Sequence, residues 1–154
     1  MKKYRVHTTK DSKSQKKCLR AKSENVSEIN DEIKEIVERL IFFKGNHAIG
    51  LSAPQIGVNL NIIIADSEGS KNNVFINPTW FPKGEEKSTD IEGCVSVPNQ
   101  YFEVERYDNI ILKALGLDGK PITVDADGMF ARVLQHECDH LDGVMICDIG
   151  KNTK

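Results

Sequence analysis

A chain of 154 residues, 39% of them hydrophobic and 29% charged, can bury one real core and is too short for two ordinary domains. The net charge of −2 hides an asymmetry: residues 1–22 hold nine Lys or Arg against the single acid Asp11, leaving twelve basic and twenty-two acidic residues in the remainder. No apolar run approaches the ~18 residues of a membrane span and no hydrophobic signal core follows Met1, so four cysteines are expected as thiols in a reducing compartment such as the cytoplasm.

In chain order, the Lys-rich residues 1–17 read as a solvated, flexible arm ahead of a single domain over 18–150. Ile29, Ile33, Ile36, Val37, Leu40 and Phe43 recur at helical spacing and predict a helix over 27–44, with Asn25 and Glu28 as its capping box and Gly45 as its stop. Residues 60–65 and 74–76 read as buried strands joined by a polar turn over 66–73, the second ending at Asn77-Pro78. Trp80 and Phe81 read as packing anchors, and 83–90 as a polar loop with a mobile tip. Strand character returns at 102–105 and 110–117; Asp118-Gly119 turns the chain into a further strand over 121–124. Asp125 or Asp127 is then placed to cap a last helix whose Phe130, Val133, Leu134 and Leu141 face inward. The sum is an α+β fold: antiparallel β-sheets packed around that last, central helix, with a helix near the N-terminus.

The last helix carries the chemistry. In Gln135-His136-Glu137-Cys138-Asp139-His140 the two imidazoles are four residues apart, so a helix presents both on one face, one turn removed. Both can hold one ion, with Glu137 beside them to take a proton from a water on it. Cys138, two residues past His136, is turned about 200° away. A third ligand is not found downstream. Only fourteen residues follow His140, without a Glu, and position 146 is Ile where the longer His-containing pattern needs His. Upstream, Glu92-Gly93-Cys94-Val95-Ser96 offers a cysteine in a turn-forming context, and Cys94 is the third ligand expected. The small-residue stretch Ile49-Gly50-Leu51-Ser52-Ala53-Pro54-Gln55 lets backbone approach a substrate, and the Gln55 amide can donate to a developing oxyanion.

These three motifs, in this order, resemble those of the peptide deformylases, metal hydrolases that remove the formyl group from nascent polypeptides; the resemblance runs from about Cys18 to Asp148. Where the family's first motif begins with Gly this chain has Ala48, and where the family carries Ala it has Ser52. Ala48 is tolerable at a negative φ, whereas a buried Ser52 hydroxyl needs a partner.

The resemblance implies a reaction. Cys94, His136 and His140 would hold Fe²⁺, with Zn²⁺, Ni²⁺ or Co²⁺ possible in the purified protein. Glu137 would move the proton, while Gln55 and the Val95 N–H would steady the oxyanion. Ile49, Gly50, Met129, Val133 and the His136 ring would line the substrate pocket, and Glu92 would hydrogen-bond a ligand or the substrate. Asp139 would pair with Arg106 or Arg132 to hold the helix. The expected partners are N-formylmethionyl nascent chains, met by a monomer in a bacterial, host or organellar compartment, with neither DNA nor membrane involved. The basic residues 1–22 suggest a weak ribosome contact, in place of the longer C-terminal helix through which some bacterial relatives dock. Two alternatives stand beside this reading. One is an HExxH metallopeptidase, weakened by the missing downstream ligand; the other is a non-catalytic metal-binding relative, supported only by Ala48, Ser52 and the short end.

Overall fold

The computed structural model describes residues 4–153, apart from the side chains of residues 14 and 15. The elements run α1 (Lys13–Arg20), α2 (Asp31–Lys44), β1 (Gly50–Ser52), a 3₁₀ turn (Ala53–Ile56), β2 (Ile62–Ser67), β3 (Ser70–Pro82), β4 (Lys87–Cys94), β5 (Val97–Tyr107), β6 (Asn109–Leu115), β7 (Pro121–Asp127), α3 (Gly128–Leu141), α4 (Ile146–Ile149) and β8 (Lys151–Asn152). Every strand pairing is antiparallel. One sheet has the order β1-β2-β3-β6-β7 and the other β4-β5-β8, so the fold is α+β as expected.

The apolar run at the start of β2 shows how the layers stack. Ile63 and Ala65 join Ala131, Val133, Leu134, Cys138 and Leu141 of α3 in one core, while Ile62 and Ile64 join Ile33, Ile36, Val37 and Leu40 of α2 in another. A strand covered on both faces has no use for alternation, which is why these residues read as continuously apolar. Full burial of an aliphatic side chain contributes about 1.5–3 kcal/mol, so the four buried aliphatics of α2 tie it firmly to the sheet. A third core joins Leu19 of α1 to Val97, Phe102 and Val104 of β5 and to Met145 and Ile146. α3 thus lies against the larger sheet and beside the smaller one.

Several expectations need correction. α2 starts at Asp31, not at 27, and its cap is Asn30, whose side chain accepts from the Ile33 N–H at 3.1 Å. Residues 24–26 are held extended instead: Glu24 bridges to Leu60, the Asn25 side chain accepts from Asn61, and the Asn77 side chain grips both the N–H (2.7 Å) and the carbonyl (3.0 Å) of Val26. With those backbone groups satisfied, a helical first turn has nothing to gain. β3 passes through Asn77-Pro78 to Pro82, because Asn77 takes a left-handed φ of 53° in a bulge where the missing Pro78 N–H breaks no ladder bond. The loop expected over 83–90 ends at Glu86, and β4 pairs from Lys87 onward. Trp80 packs edge-on to Tyr107, but Phe81 is half exposed and anchors nothing. Asp127 stands at the start of α3 without a side-chain cap bond, and Asp125 is spent on strand pairing and an ion pair with Lys83.

The basic start is laid against the body from residue 4 on. The N–H of His7 donates to the Gln55 carbonyl (2.7 Å), that of Thr9 to the Ser96 carbonyl (2.9 Å), and Tyr4 and Val6 pack on the α2 core. The boundary expected after residue 17 falls inside α1, and residues 1–3 lie outside the described residues.

Candidate metal centre

Three elements bring three donors to one point. His136 and His140 stand one turn apart on α3, with ring centroids 5.2 Å from each other. Cys94 ends β4, and its Sγ lies 3.4 Å from His140 Nε2. The ligand atoms of Cys94, His136 and His140 all fall within 4.8 Å of one another. Gly93 supplies more than freedom of backbone: a Cβ there would lie 2.9 Å from the Tyr101 ring, which rests across the strand just before the cysteine.

Glu92 orients the first imidazole. Its Oε1 is 2.8 Å from His136 Nδ1, and since an ionised carboxylate only accepts, Nδ1 carries a proton and Nε2 is turned to the site. Arg106 bonds both Glu92 oxygens, through Nε at 2.7 Å and Nη2 at 2.9 Å, and Arg132 Nη1 adds a bond of 2.7 Å. Burial alone would raise this carboxyl, but the bonds from His136 and Arg106 outweigh it and hold the pKa at about 2. Glu92 was expected to reach a ligand or the substrate. The bond it makes is to the ligand His136, the first of those two alternatives, although Glu92 also borders the cleft. Arg106 also takes Asp139 at 2.8 Å, one of the two pairings expected, whereas Arg132 turns to the carbonyls of Val104 and Ser88.

Glu137 is almost fully buried, and burial pushes its carboxyl up to about 7 against the pull of His136 and Arg106. A Cβ on Gly50 would lie 2.7 Å from Glu137 Oε2 and 3.0 Å from Val133 Cγ1, so only glycine lets β1 run this close to the carboxylate. Among the described residues Glu137 Oε1 is buried with no hydrogen-bonding partner. Burial and the neighbouring His136 keep His140 well below the ordinary imidazole range, hence neutral and able to ligate. Burial would lower His136 too, but contact with Cys94 and Glu92 lifts it well above that range, so without an ion Nε2 also holds a proton, which a bound cation would displace to use its lone pair. A thiol, two imidazoles and an orphaned carboxylate oxygen suit a divalent transition metal carrying a water.

Beside these donors opens a cleft of about 620 Å³. Ile49 and Gly50 form one wall with His47 and Ala48, Met129, Val133 and His136 rise from α3, and Ile91, Val95 and Tyr101 close the far side. Ile49, Ile91, Tyr101 and Met129 are each more than half exposed, an apolar rim around polar chemistry. Ala48 is not among the residues with positive φ, and its carbonyl accepts from Lys44 Nζ at 3.2 Å. Lys44, itself buried, also holds the Gly45 carbonyl and Asp66, which fixes the loop leading to Ile49. Gln55 is buried within reach of the site, its Nε2 3.5 Å from Cys94 Sγ and 3.1 Å from Ser96 Oγ. Cys138 faces the α3 core, as its helical position implied.

Sequence reasoning assigned no role to Ser96, Tyr101 or His47. Ser96 was visible in its motif, two residues past Cys94, but only the fold shows its hydroxyl meeting Gln55. Tyr101 needed the β4–β5 register, in which Glu92 lies opposite Phe102.

The family model described as polypeptide deformylase matches residues 11–154. Peptide deformylase 1 of Clostridium perfringens is 42% identical over 132 residues, spanning 84% of this chain and 89% of the relative. A probable peptide deformylase from Synechococcus phage S-SSM7 superposes with a TM-score of 0.85 at 37% identity, covering 96% of this chain and 99% of the other. The peptide deformylase of Synechococcus elongatus in complex with actinonin gives a TM-score of 0.87 at 33% identity, over 97% of this chain and 80% of that one.

Proposed function

This chain belongs to the polypeptide deformylase family, and on that premise we propose that Cys94, His136 and His140 hold the metal ion with which it removes the formyl group from N-formylmethionyl nascent peptides, releasing formate. The observation that carries the site is the convergence of one thiol and two imidazoles within 4.8 Å. The enzyme is a hydrolase of the metal-dependent class. Iron(II) is our assignment for the ion, on family resemblance, since the ligand set alone would equally take zinc. When bound, the ion supplies Lewis acidity, which lowers the pKa of a water toward ~7.

The chain's own groups do the rest. Glu137 Oε1, buried and free of other bonds, takes the proton of the attacking water and returns it to the departing amine. Gln55 Nε2 and the Val95 N–H donate to the formyl oxygen as it gains charge. Ile49, Met129 and Val133 receive the methionine side chain, and Gly50 lets β1 pass close beside the Glu137 carboxylate. An HExxH peptidase is not favoured, because the third donor comes from Cys94 on a different strand. A non-catalytic relative loses the support it drew from the two substitutions: Ala48 needs no unusual backbone and Ser52 has a partner.

We also assign the cationic start of the chain a weak contact with ribosomal RNA, in a monomer acting where translation occurs. Charge is its support: Lys13, Lys17 and Arg20 are exposed on α1, although Arg20 also pairs with Asp148. Salt-insensitive pelleting with ribosomes, or unchanged pelleting after deletion of residues 1–17, would count against it. The main reading is tested by formate release from a formyl-methionyl peptide under anaerobic iron loading, with metal content measured alongside. Cleavage of unformylated peptides would mark a peptidase, and bound metal without formate an inactive relative.

A further inference from the structure

Gln55 is fixed at both ends of its amide. Oε1 accepts two bonds from a single residue, the Ser52 N–H at 3.0 Å and the Ser52 hydroxyl at 2.9 Å, while Nε2 donates to Ser96 Oγ at 3.1 Å and faces Cys94 Sγ at 3.5 Å. Ser52 and Ser96 are wholly buried and Gln55 almost so, leaving no water to substitute for either bond. The assignment of amide oxygen and nitrogen follows from chemistry: a backbone N–H only donates, so the atom beside Ser52 N is the oxygen. The end torsion of a glutamine is otherwise broad, and one donor leaves the amide free to swing about that bond. Two donors from different directions fill both lone pairs of Oε1 and define the plane in which the NH₂ lies.

We propose that Ser52 is a positioning residue, whose hydroxyl locks the Gln55 amide so that its N–H is held ready for the formyl oxygen; this rests on the deformylase reading of the site. The hydroxyl acts twice. It stops rotation of the amide, and by withdrawing density toward Oε1 it makes the opposite N–H a stronger donor. Both effects matter most when charge builds on the substrate oxygen, so they belong to turnover more than to binding.

The test is a cycle of Ser52→Ala, Gln55→Ala and the double variant in the metal-loaded enzyme. Ser52→Ala is expected to lower kcat about 3–10-fold with KM and metal content nearly unchanged, the size of one hydrogen bond. Ser52→Cys, which keeps the volume but donates weakly, should behave alike. In the Gln55→Ala background the Ser52 change should alter kcat less than about twofold, because the residue acts only through the amide. An equal loss in both backgrounds, or none in either, overturns the proposal. A second readout needs no turnover: in ¹⁵N spectra of the protein, the Gln55 side-chain amide pair, identified by its loss in Gln55→Ala, should shift and exchange faster in Ser52→Ala while other side-chain amides stay put. An unmoved pair overturns the proposal alone. Absence of formate from the parent protein overturns the deformylase reading and the catalytic part of this one, whatever the amide pair does.

Discussion

His136 Nδ1 lies 2.8 Å from Glu92 Oε1, and the same carboxylate is gripped by Arg106 and Arg132. A ligand ring is therefore aimed by a carboxylate that is itself held by two buried cations. Glu92→Ala should weaken metal binding about 10–100-fold, read by competition with a chelator. It should also destabilise the fold by about 3–5 kcal/mol, since Arg132 loses its carboxylate partner inside the protein and Arg106 keeps only Asp139. Unchanged metal affinity in a folded variant would remove the orienting role.

Gly50→Ala tests how closely β1 must approach Glu137. The new methyl would sit 2.7 Å from Glu137 Oε2, so the carboxylate or the strand has to move by a sizeable fraction of an ångström. Misplacement on that scale costs on the order of 10²-fold in kcat/KM. Cys94, His136 and His140 are untouched, so metal content should stay near one per chain. Full activity with full metal would show that Glu137 needs no such fit.

What could be read from the residues depended on how local the causes were. The α2 stripe, the His136–His140 spacing and Cys94 in its turn are short-range patterns, and each is visible without a fold. β4 escaped because most of its side chains are exposed, so its polar run carries no alternation. The late start of α2 depends on Asn77, fifty-one residues away, whose side chain holds Val26 extended. Glu92 could be read as bonding a ligand or the substrate, but nothing in its neighbours betrays Arg106 and Arg132, which reach it from other elements. The departure at Ser52 was visible as a need for a partner, but the partner's identity required the 3₁₀ turn that folds Gln55 back over it.

Deletion of residues 1–9 should reach the site through the backbone. It removes the bonds from His7 to the Gln55 carbonyl and from Thr9 to the Ser96 carbonyl, which tie together the two loops carrying the oxyanion donor and the cysteine. It also uncovers the part of the α2 core beneath Tyr4 and Val6. The loss should be about 2–3 kcal/mol, lowering Tm by roughly 5–10 °C in a chain of this size, with kcat falling more than KM rises. Parent-like Tm and kcat in the truncated enzyme would reduce the segment to a bystander.

The buried carboxyl of Glu137 makes stability depend on pH in a definite direction. Its pKa rises from 4.5 to about 7, chiefly through burial, so between those values the folded metal-free protein binds a proton that the unfolded chain has released. The stabilising contribution is fully present below 4.5 and is lost as pH climbs through 7. Glu137→Gln removes this titration. Relative to the parent, the variant should therefore gain roughly 3 kcal/mol in denaturant stability between pH 4.5 and pH 8, at ~1.36 kcal/mol per pKa unit. Adding the metal should shrink the gain, because a cation favours the ionised carboxylate that the empty protein disfavours. If the parent and Glu137→Gln show parallel stability curves from pH 4.5 to pH 8 without metal, Glu137 is not held protonated by its surroundings and its readiness as a proton carrier must come from the bound ion alone.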